Sequence, residues 1–372
     1  GALNVYSRLL NYNGSEISEF VPALSTEVPT FDNGLIVEGD DGSITYTFPI
    51  RDNVYTHQVG ITGDGGTVTW EYYDNLSDEQ RANIAPGHGV ITAEDVRYSF
   101  LRAMLMDESW MSKAITEMIT SGEYADATAM AAALTGVEAV ADLTAEQQAT
   151  VYDALAAHLI VEGDTVSIRL DSPFPATLGI MALPFGTSVV DREWAISQGA
   201  WDGAPDTWAA SYRPETSESP LFAAENGSGP FMLEEWDRSE RRIVLRRFEG
   251  YMFDPAPLER VVMRTVPEWT TRRLQLLSGD ADVVSTPVEF LDEMAATDGV
   301  KVLDSLPQVF GRALYYAWPL QANDNPAIGS GQLDGDGIPP DFFGNLDVRM
   351  GFNYAQNYDL LLEQVNLGKT VQ

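Results

Sequence analysis

Ile91-Thr92-Ala93-Glu94-Asp95-Val96-Arg97-Tyr98-Ser99-Phe100 is the stretch on which the fold of this chain turns. Thr92 has the hydroxyl a helix N-cap needs, and Asp95 stands three residues on, at the capping-box position. Val96, Phe100, Ala103 and Met104 then recur at helical spacing, so an amphipathic helix is predicted from Thr92 onward. Upstream, residues 44–50 alternate as a half-buried strand does, and glycines 63, 65 and 66 mark a turn before a second strand at 67–73. Residues 4–12 form a short amphipathic segment ended by the Asn13-Gly14 turn.

Downstream, the alanine-rich residues 124–158 read as helix. Residues 161–170 read as a turn and a strand with Val166, Ile168 and Leu170 on one face. A proline-marked stretch covers 172–184. Residues 199–228, rich in Gly, Pro, Ser, Trp and acids, read as a long surface loop. Strands are expected at 241–248, 258–266, 281–284 and 309–318, a short helix at 271–277 closed by Gly279, and a polar loop at 321–345. Asp347 is expected to cap a helix carrying Val348, Phe352 and Ala355, continued by 358–365 as far as Gly368. Helices mixed with strands in this way predict an α/β fold with at least one mixed sheet.

The chain has 372 residues, enough for two or three domains, and no apolar run of membrane-spanning length. With 56 acidic against 22 basic residues the net charge is −34, and the only lysines are Lys113, Lys301 and Lys369. Nucleic acids and anionic membranes are excluded as partners, since both need a basic surface. Such an acidic surface keeps the protein soluble but repels itself, so salt is expected to favour the fold. The absence of cysteine excludes disulfides, zinc–thiolate sites and cysteine nucleophiles. The first residues have neither the basic nor the apolar region of an export signal.

Catalytic patterns are missing. His57, His88 and His158 form no metal-ligand pair, no nucleophile elbow occurs, and the 63–66 glycine turn lacks the Gly-Lys-Ser/Thr ending of a phosphate loop. Chance pairs among so many acids carry no information about glycoside hydrolysis. Asp334, Asp336 and Asp341 are spaced as oxygen ligands of a calcium loop, yet the third ligand before the glycine is absent and Asn345 stands where a glutamate would close the loop. Two readings stay open there: an acidic turn held by Asx bonds, and a structural calcium ion. No cofactor is otherwise required.

Six segments, in order, resemble the oligopeptide-, dipeptide- and nickel-binding proteins of ABC importers, the extracellular solute-binding proteins of family 5. They are residues 4–10 with 21–24, the strand Thr45-Tyr46-Thr47-Phe48-Pro49-Ile50-Arg51, the opening stretch 91–100, Gly227-Ser228-Gly229-Pro230-Phe231, Ser278-Gly279-Asp280-Ala281-Asp282, and Asp347-Val348-Arg349 with Asn353-Tyr354-Ala355. The matched residues cap helices and permit turns. They mark a fold rather than a ligand.

The resemblance implies a two-lobed fold of the type II periplasmic-binding-protein kind with an extra small α/β domain. Residues 1–185 would be that extra domain, 186–283 the core portion of lobe I, and 284–372 the start of an incomplete lobe II. It implies a non-enzymatic subunit that captures a solute, most often a peptide, and delivers it to the permease subunits of an ABC importer. An oligosaccharide or nickel chelate is the alternative cargo. The implied location is periplasmic or on the outer surface, free or lipid-anchored, as a monomer. By position in the family pattern, Tyr6, Trp110, Ser285, Thr286, Tyr315, Tyr316 and Trp318 are the expected ligand contacts, with Arg8 a weaker candidate. Tyr315 and Tyr316 are adjacent on an expected strand, so they cannot both face one cleft. The aspartate with which peptide-binding members anchor the ligand's amino group would lie beyond Gln372.

Overall fold

A computed structural model describes residues 2–106, 110–183, 186–304, 306, 317–323, 325–365 and 367–368. The chain separates into two compact units, 1–265 and 266–372. The first unit holds a hairpin of β1 (Leu10–Asn13) and β2 (Glu16–Pro22) and a four-stranded antiparallel sheet. That sheet comprises β3 (Ile36–Glu38) and β4 (Ile44–Pro49), joined across the chain by β7 (Leu159–Glu162) and β8 (Thr165–Leu170) in the order β3-β4-β8-β7. Between them in sequence lies the hairpin of β5 (Gln58–Thr62) and β6 (Val68–Tyr72). A third sheet, β11-β10-β9, is built from β9 (Phe231–Asp237), β10 (Arg242–Arg247) and β11 (Arg260–Arg264).

The central sheet follows from alternation. Ile44, Tyr46 and Phe48 pair with Leu170, Ile168 and Val166, and all six are buried on one face. The helix Ala93–Met106 packs against β7 and β8, burying Val96, Phe100 and Met104. Its start is capped as expected: the Asp95 carboxylate accepts from the Thr92 N–H (2.8 Å) and hydroxyl (2.7 Å). The alanine-rich segment divides into two helices, Ala127–Thr135 and Ala145–Ala156. Asp126 caps the first, Gly136 ends it at φ 74°, and Thr144 with Gln147 forms a capping box on the second.

Residues 199–228 form the long loop that composition suggested, largely exposed or half-buried, but it is pinned to the core at two points. Trp201 and Trp208 are buried, and each indole N–H finds a carbonyl: Trp201 donates to Ala204 (3.0 Å), and Trp208 to Gln148 (3.0 Å). Tyr98 stacks on Trp201 at 5.6 Å and donates its hydroxyl to the Trp201 carbonyl at 2.7 Å. Large rings supply apolar area without periodicity, so a segment rich in turn residues can still be anchored in a core.

Two carboxylates lie inside this unit. Asp95 and Asp191 are both buried; Asp191 caps the helix Arg192–Ser197 by accepting from the Trp194 N–H at 2.6 Å, and also accepts from the Gly89 N–H at 2.6 Å. Asp95 accepts in addition from the Arg192 N–H at 2.8 Å. Burial, reinforced by the charge of Asp95, outweighs these donors and pushes the Asp191 carboxyl up to about 7. Because the folded form then holds a proton the unfolded chain releases near pH 4, this contribution to stability is full below pH 4 and lost as pH rises toward 7. By linkage the loss is about 4 kcal/mol. Asp191→Asn keeps one acceptor and removes the titration. It is expected to lower stability at pH 5 by about 1–3 kcal/mol and to flatten the profile. Urea midpoints from pH 5 to 8 check this; a wild-type midpoint that rises with pH would refute it.

In the second unit the helix Trp269–Ser278 ends at Gly279, whose φ is 81°. The boundary between compact units falls at 265/266, whereas sequence reading placed divisions at 185/186 and 283/284. Residues 281–284 are not a strand: they find no neighbour to pair with among the described residues, and Val283 is 88% exposed. The expected strand at 309–318 lies almost wholly outside the described residues. Asn345, not Asp347, caps the next helix, Leu346–Tyr354, because its side-chain oxygen accepts from the Asp347 N–H at 2.8 Å. Asp347 therefore sits within the first turn, where its charge favours the helix dipole.

Candidate ligand-binding surface

The Gly227-Ser228-Gly229 motif is where the two ends of the first unit meet. A Cβ on Gly227 would stand 1.9 Å from the Val5 carbonyl oxygen, and one on Gly229 would stand 2.7 Å from that of Asn4. Only glycine allows so close an approach, so its role here is clearance rather than a turn. The Gly229 N–H donates to the Val5 carbonyl (2.8 Å), and the Ser7 hydroxyl to the Ser228 carbonyl (3.0 Å). Residues 4–7, which leave the short helix Ala2–Val5, are thus bound to the motif.

Behind the motif lies a buried polar cluster. His57 is fully buried; its Nδ1 meets Glu225 Oε1 at 2.5 Å and its Nε2 the Gly229 carbonyl at 3.1 Å. Both ring nitrogens are thus engaged by oxygens, which fixes the plane of the ring. The Glu225 carboxylate also accepts from the N–H groups of Gly227 (2.7 Å) and Leu233 (3.2 Å). Asn226 accepts from the Gln58 N–H at 2.6 Å and donates to the Gln58 carbonyl at 2.9 Å. This cluster fixes the backbone that holds residues 4–7.

Tyr6 and Arg8 follow on that held segment. Burial, and secondarily the Glu225 charge, pushes the Tyr6 phenol up, so it remains neutral. Arg8 is half-buried, and its Nε and Nη2 both donate to Asn11 Oδ1, at 3.2 and 2.5 Å. Desolvation pulls its pKa down; the groups beside it are the phenols of Tyr251 and Tyr12. Tyr251 lines an open cavity of about 510 Å³, together with Thr26, Arg51, Tyr55, Tyr73 and Met252. Tyr55 and Tyr73 stack at 4.6 Å, and Arg51 donates its Nε–H to the Ala23 carbonyl at 2.7 Å. A surface of phenols and guanidinium groups can stack on a planar or apolar solute and hydrogen-bond its oxygens.

The pattern of "Bacterial extracellular solute-binding proteins, family 5 Middle" matches residues 19–372. The chain belongs to this family. Family 5 consists of substrate-binding proteins found outside the cytoplasm. The chain is similar to heme-binding protein A of Haemophilus influenzae, 26% identical over 212 residues, which is 56% of this chain and 31% of that protein. Among solved structures it resembles the ABC transporter-associated periplasmic binding protein DppA of Helicobacter pylori in complex with peptide STSA. The TM-score is 0.52 at 19% identity, covering 98% of this chain and 53% of that one. It also resembles NikZ of Campylobacter jejuni in complex with Ni(L-His), with a TM-score of 0.50 at 14% identity, covering 98% of this chain and 50% of that one. These likenesses show the fold: mixed helix and strand of the type II periplasmic-binding-protein kind. The chain spans about a third of that curated relative and about half of those two solved proteins. Among the described residues no helix is long and apolar enough to cross a membrane.

The expected contacts fall in both compact units. Tyr6 lies in the held segment. Trp110 is the first residue of the helix Trp110–Ile119 and is 56% exposed. Ser285 and Thr286 lie in an extended stretch of the second unit, where Ser285 is exposed and its carbonyl accepts from Arg272 Nε at 3.1 Å. Trp318 stacks on Phe343 at 4.4 Å and leans on Phe352 at 4.9 Å, so its ring is taken up by packing within that unit. Tyr315 and Tyr316 lie outside the described residues. Sequence reading missed Glu225, Asn226 and Tyr251, and gave His57 no role, since none has a local signature of its own.

The aspartates proposed for a calcium loop are engaged within their own turn. Asp334 accepts from the Ser330 hydroxyl (2.8 Å) and the Asp336 N–H (2.9 Å), which hold its carboxyl below the ordinary range. Asp341 begins the short turn Phe342–Gly344 without a side-chain cap. Among the described residues no three acidic or histidine side chains converge as a metal would require. The geometry is that of an Asx turn.

Proposed function

We propose that this chain is the solute-capturing part of an ABC-importer subunit, that its solute is a peptide, and that it catalyses no reaction. The observation that carries this reading is the match to family 5 over residues 19–372. The peptide is favoured because the similar Helicobacter pylori protein was solved with one. Permease subunits would be its partners and the periplasm or outer surface its location, with the protein acting as a monomer. Tyr6 and Trp110 are the contacts proposed for the first unit, and Ser285 and Thr286 those proposed for the second.

A ligand that binds only the folded form raises its stability by mass action, by about 2.7 kcal/mol at a hundredfold excess over Kd. A thermal-shift screen against peptides, oligosaccharides and metal chelates is expected to give an upward shift with peptides and no turnover. A shift with another class alone would reassign the cargo. Steady conversion of any ligand into product would overturn the binding-protein reading.

A further inference from the structure

We propose that a second cavity of the first unit binds a small aromatic carboxylate. Glu94, Arg97, Tyr98 and Leu101 recur at i, i+3, i+4 and i+7 along the helix Ala93–Met106 and so share one face of it. With Tyr152, Arg192, Trp201 and Gly203 they line a cavity of about 220 Å³. None of these residues borders the 510 Å³ cavity at Tyr251. The site therefore goes beyond the proposed function and does not depend on it.

Two guanidinium groups line this cavity and are open to water: the Arg97 and Arg192 side chains are 28% and 43% exposed. A backbone carbonyl anchors each. Arg97 Nε donates to that of Leu159 and Arg192 Nη2 to that of Asp202, both at 3.1 Å. Gly203 makes room for the second, since a Cβ there would stand 3.0 Å from Arg192 Nε. Carboxylates nearby do not take up the remaining donors. Glu94 lies 3.7 Å from Arg97 Nη1 and Glu193 3.7 Å from Arg192 Nη1, both too far for a hydrogen bond. The Asp202 carboxylate accepts instead from the Ala204 N–H at 3.0 Å and the Thr207 hydroxyl at 2.6 Å. Where an arginine of this chain is fully paired the contacts are shorter, as for Arg260 with Glu234 at 2.8 and 3.0 Å. Each guanidinium thus keeps N–H groups with no acceptor among the described residues, and two of them on one small space suit an anion.

The walls select the body that carries the charge. Leu101 and Trp201 are buried, and Tyr152 meets Trp201 edge-on at 6.1 Å. Arg97 lies over the Tyr152 ring at 6.0 Å, so a planar group can be stacked as well as hydrogen-bonded here. A benzene ring fits a cavity of about 150 Å³. The larger volume here holds a ring together with its carboxylate.

The test is calorimetric titration of wild type, Arg97→Gln and Arg192→Gln with benzoate, benzamide and acetate. Wild type is expected to bind benzoate at least about tenfold more tightly than the other two, since benzamide lacks the charge and acetate the ring. Each variant is expected to lose at least about fivefold in benzoate affinity. A crystal of the wild-type protein soaked in 4-iodobenzoate locates the ring by the scattering of its iodine, whether or not the variants fold. The iodine is expected beside Tyr152 and Trp201. Equal binding of benzoate and benzamide overturns the anion receptor, and equal binding of benzoate and acetate overturns the aromatic ligand. No benzoate bound at millimolar concentration overturns the site as a whole. Benzoate affinity unchanged in both variants, or iodine outside the cavity, places the anion elsewhere and overturns it too. None of these outcomes touches the peptide reading, which is tested with other ligands.

Discussion

Gly227→Ala is expected to destabilise the first unit by about 3 kcal/mol or more, among the largest effects of any single methyl group in this protein. The added carbon would meet the Val5 carbonyl oxygen at 1.9 Å, the Val5 carbonyl carbon at 2.6 Å and the Tyr6 Cα at 3.2 Å. All three are backbone atoms, so no rotamer change relieves the contact. Residues 4–7 must move away, and the Gly229–Val5 and Ser7–Ser228 hydrogen bonds part with them. The glycine is not among those with positive φ, so the penalty is steric clearance alone, and serine should fare no better. Urea denaturation and limited proteolysis near residues 4–12 check the expectation. A variant within 1 kcal/mol of wild type, with an unchanged cleavage pattern, would show that the loop is not held as described.

His57→Leu is expected to lower stability by about 3 kcal/mol, the upper end for leaving buried hydrogen-bond partners unsatisfied. The imidazole is wholly buried and Glu225 nearly so, at side-chain exposures of 0% and 12%. Leucine fills much of the ring's space against Phe248, whose ring meets that of His57 edge-on at 4.8 Å. It leaves Glu225 facing an apolar group and the Gly229 carbonyl without its donor. Glu225 retains the amides of Gly227 and Leu233, which keeps the penalty from being larger. A double-mutant cycle with Glu225→Gln is the decisive measurement. The two losses should be less than additive by at least about 1 kcal/mol, since each mutation removes the same pair. Strict additivity would mean that the contact contributes nothing.

The helix Ala93–Met106 and the strands β4 and β8 were legible because their signals are local. A cap three residues from its partner, a helical apolar stripe and a two-residue alternation can each be read without knowing what lies opposite. The glycine motif was legible as a family mark, but not its reason, because the atoms it clears are more than 200 positions away. His57 and Glu225 are 168 residues apart, and each is an ordinary polar residue in its own neighbourhood. β9 carries Glu234 and Glu235 side by side, which breaks the alternation that would have announced it. Its register with β10 shifts at the same place. Of the expected site, Tyr6 is held in the segment bound to the glycine motif and the Trp318 ring is engaged by Phe343 and Phe352, contacts that sequence position alone cannot reveal.

The bond between Ser7 and Ser228 spans 221 positions, and it bears on the order in which the molecule is assembled. Residues 4–7 are made more than two hundred residues before the motif that binds them. At 5–20 residues per second that is a wait of roughly 10–45 s. During it, the central sheet can form no sooner than β8 appears, and residues 4–7 lack the glycine motif that binds them. Closing a loop of that length adds only a modest entropic penalty beyond a shorter one, since the penalty grows with the logarithm of length. The delay is therefore one of supply rather than of energy. The segment that carries Tyr6 and Arg8 is therefore made long before it can be fully seated.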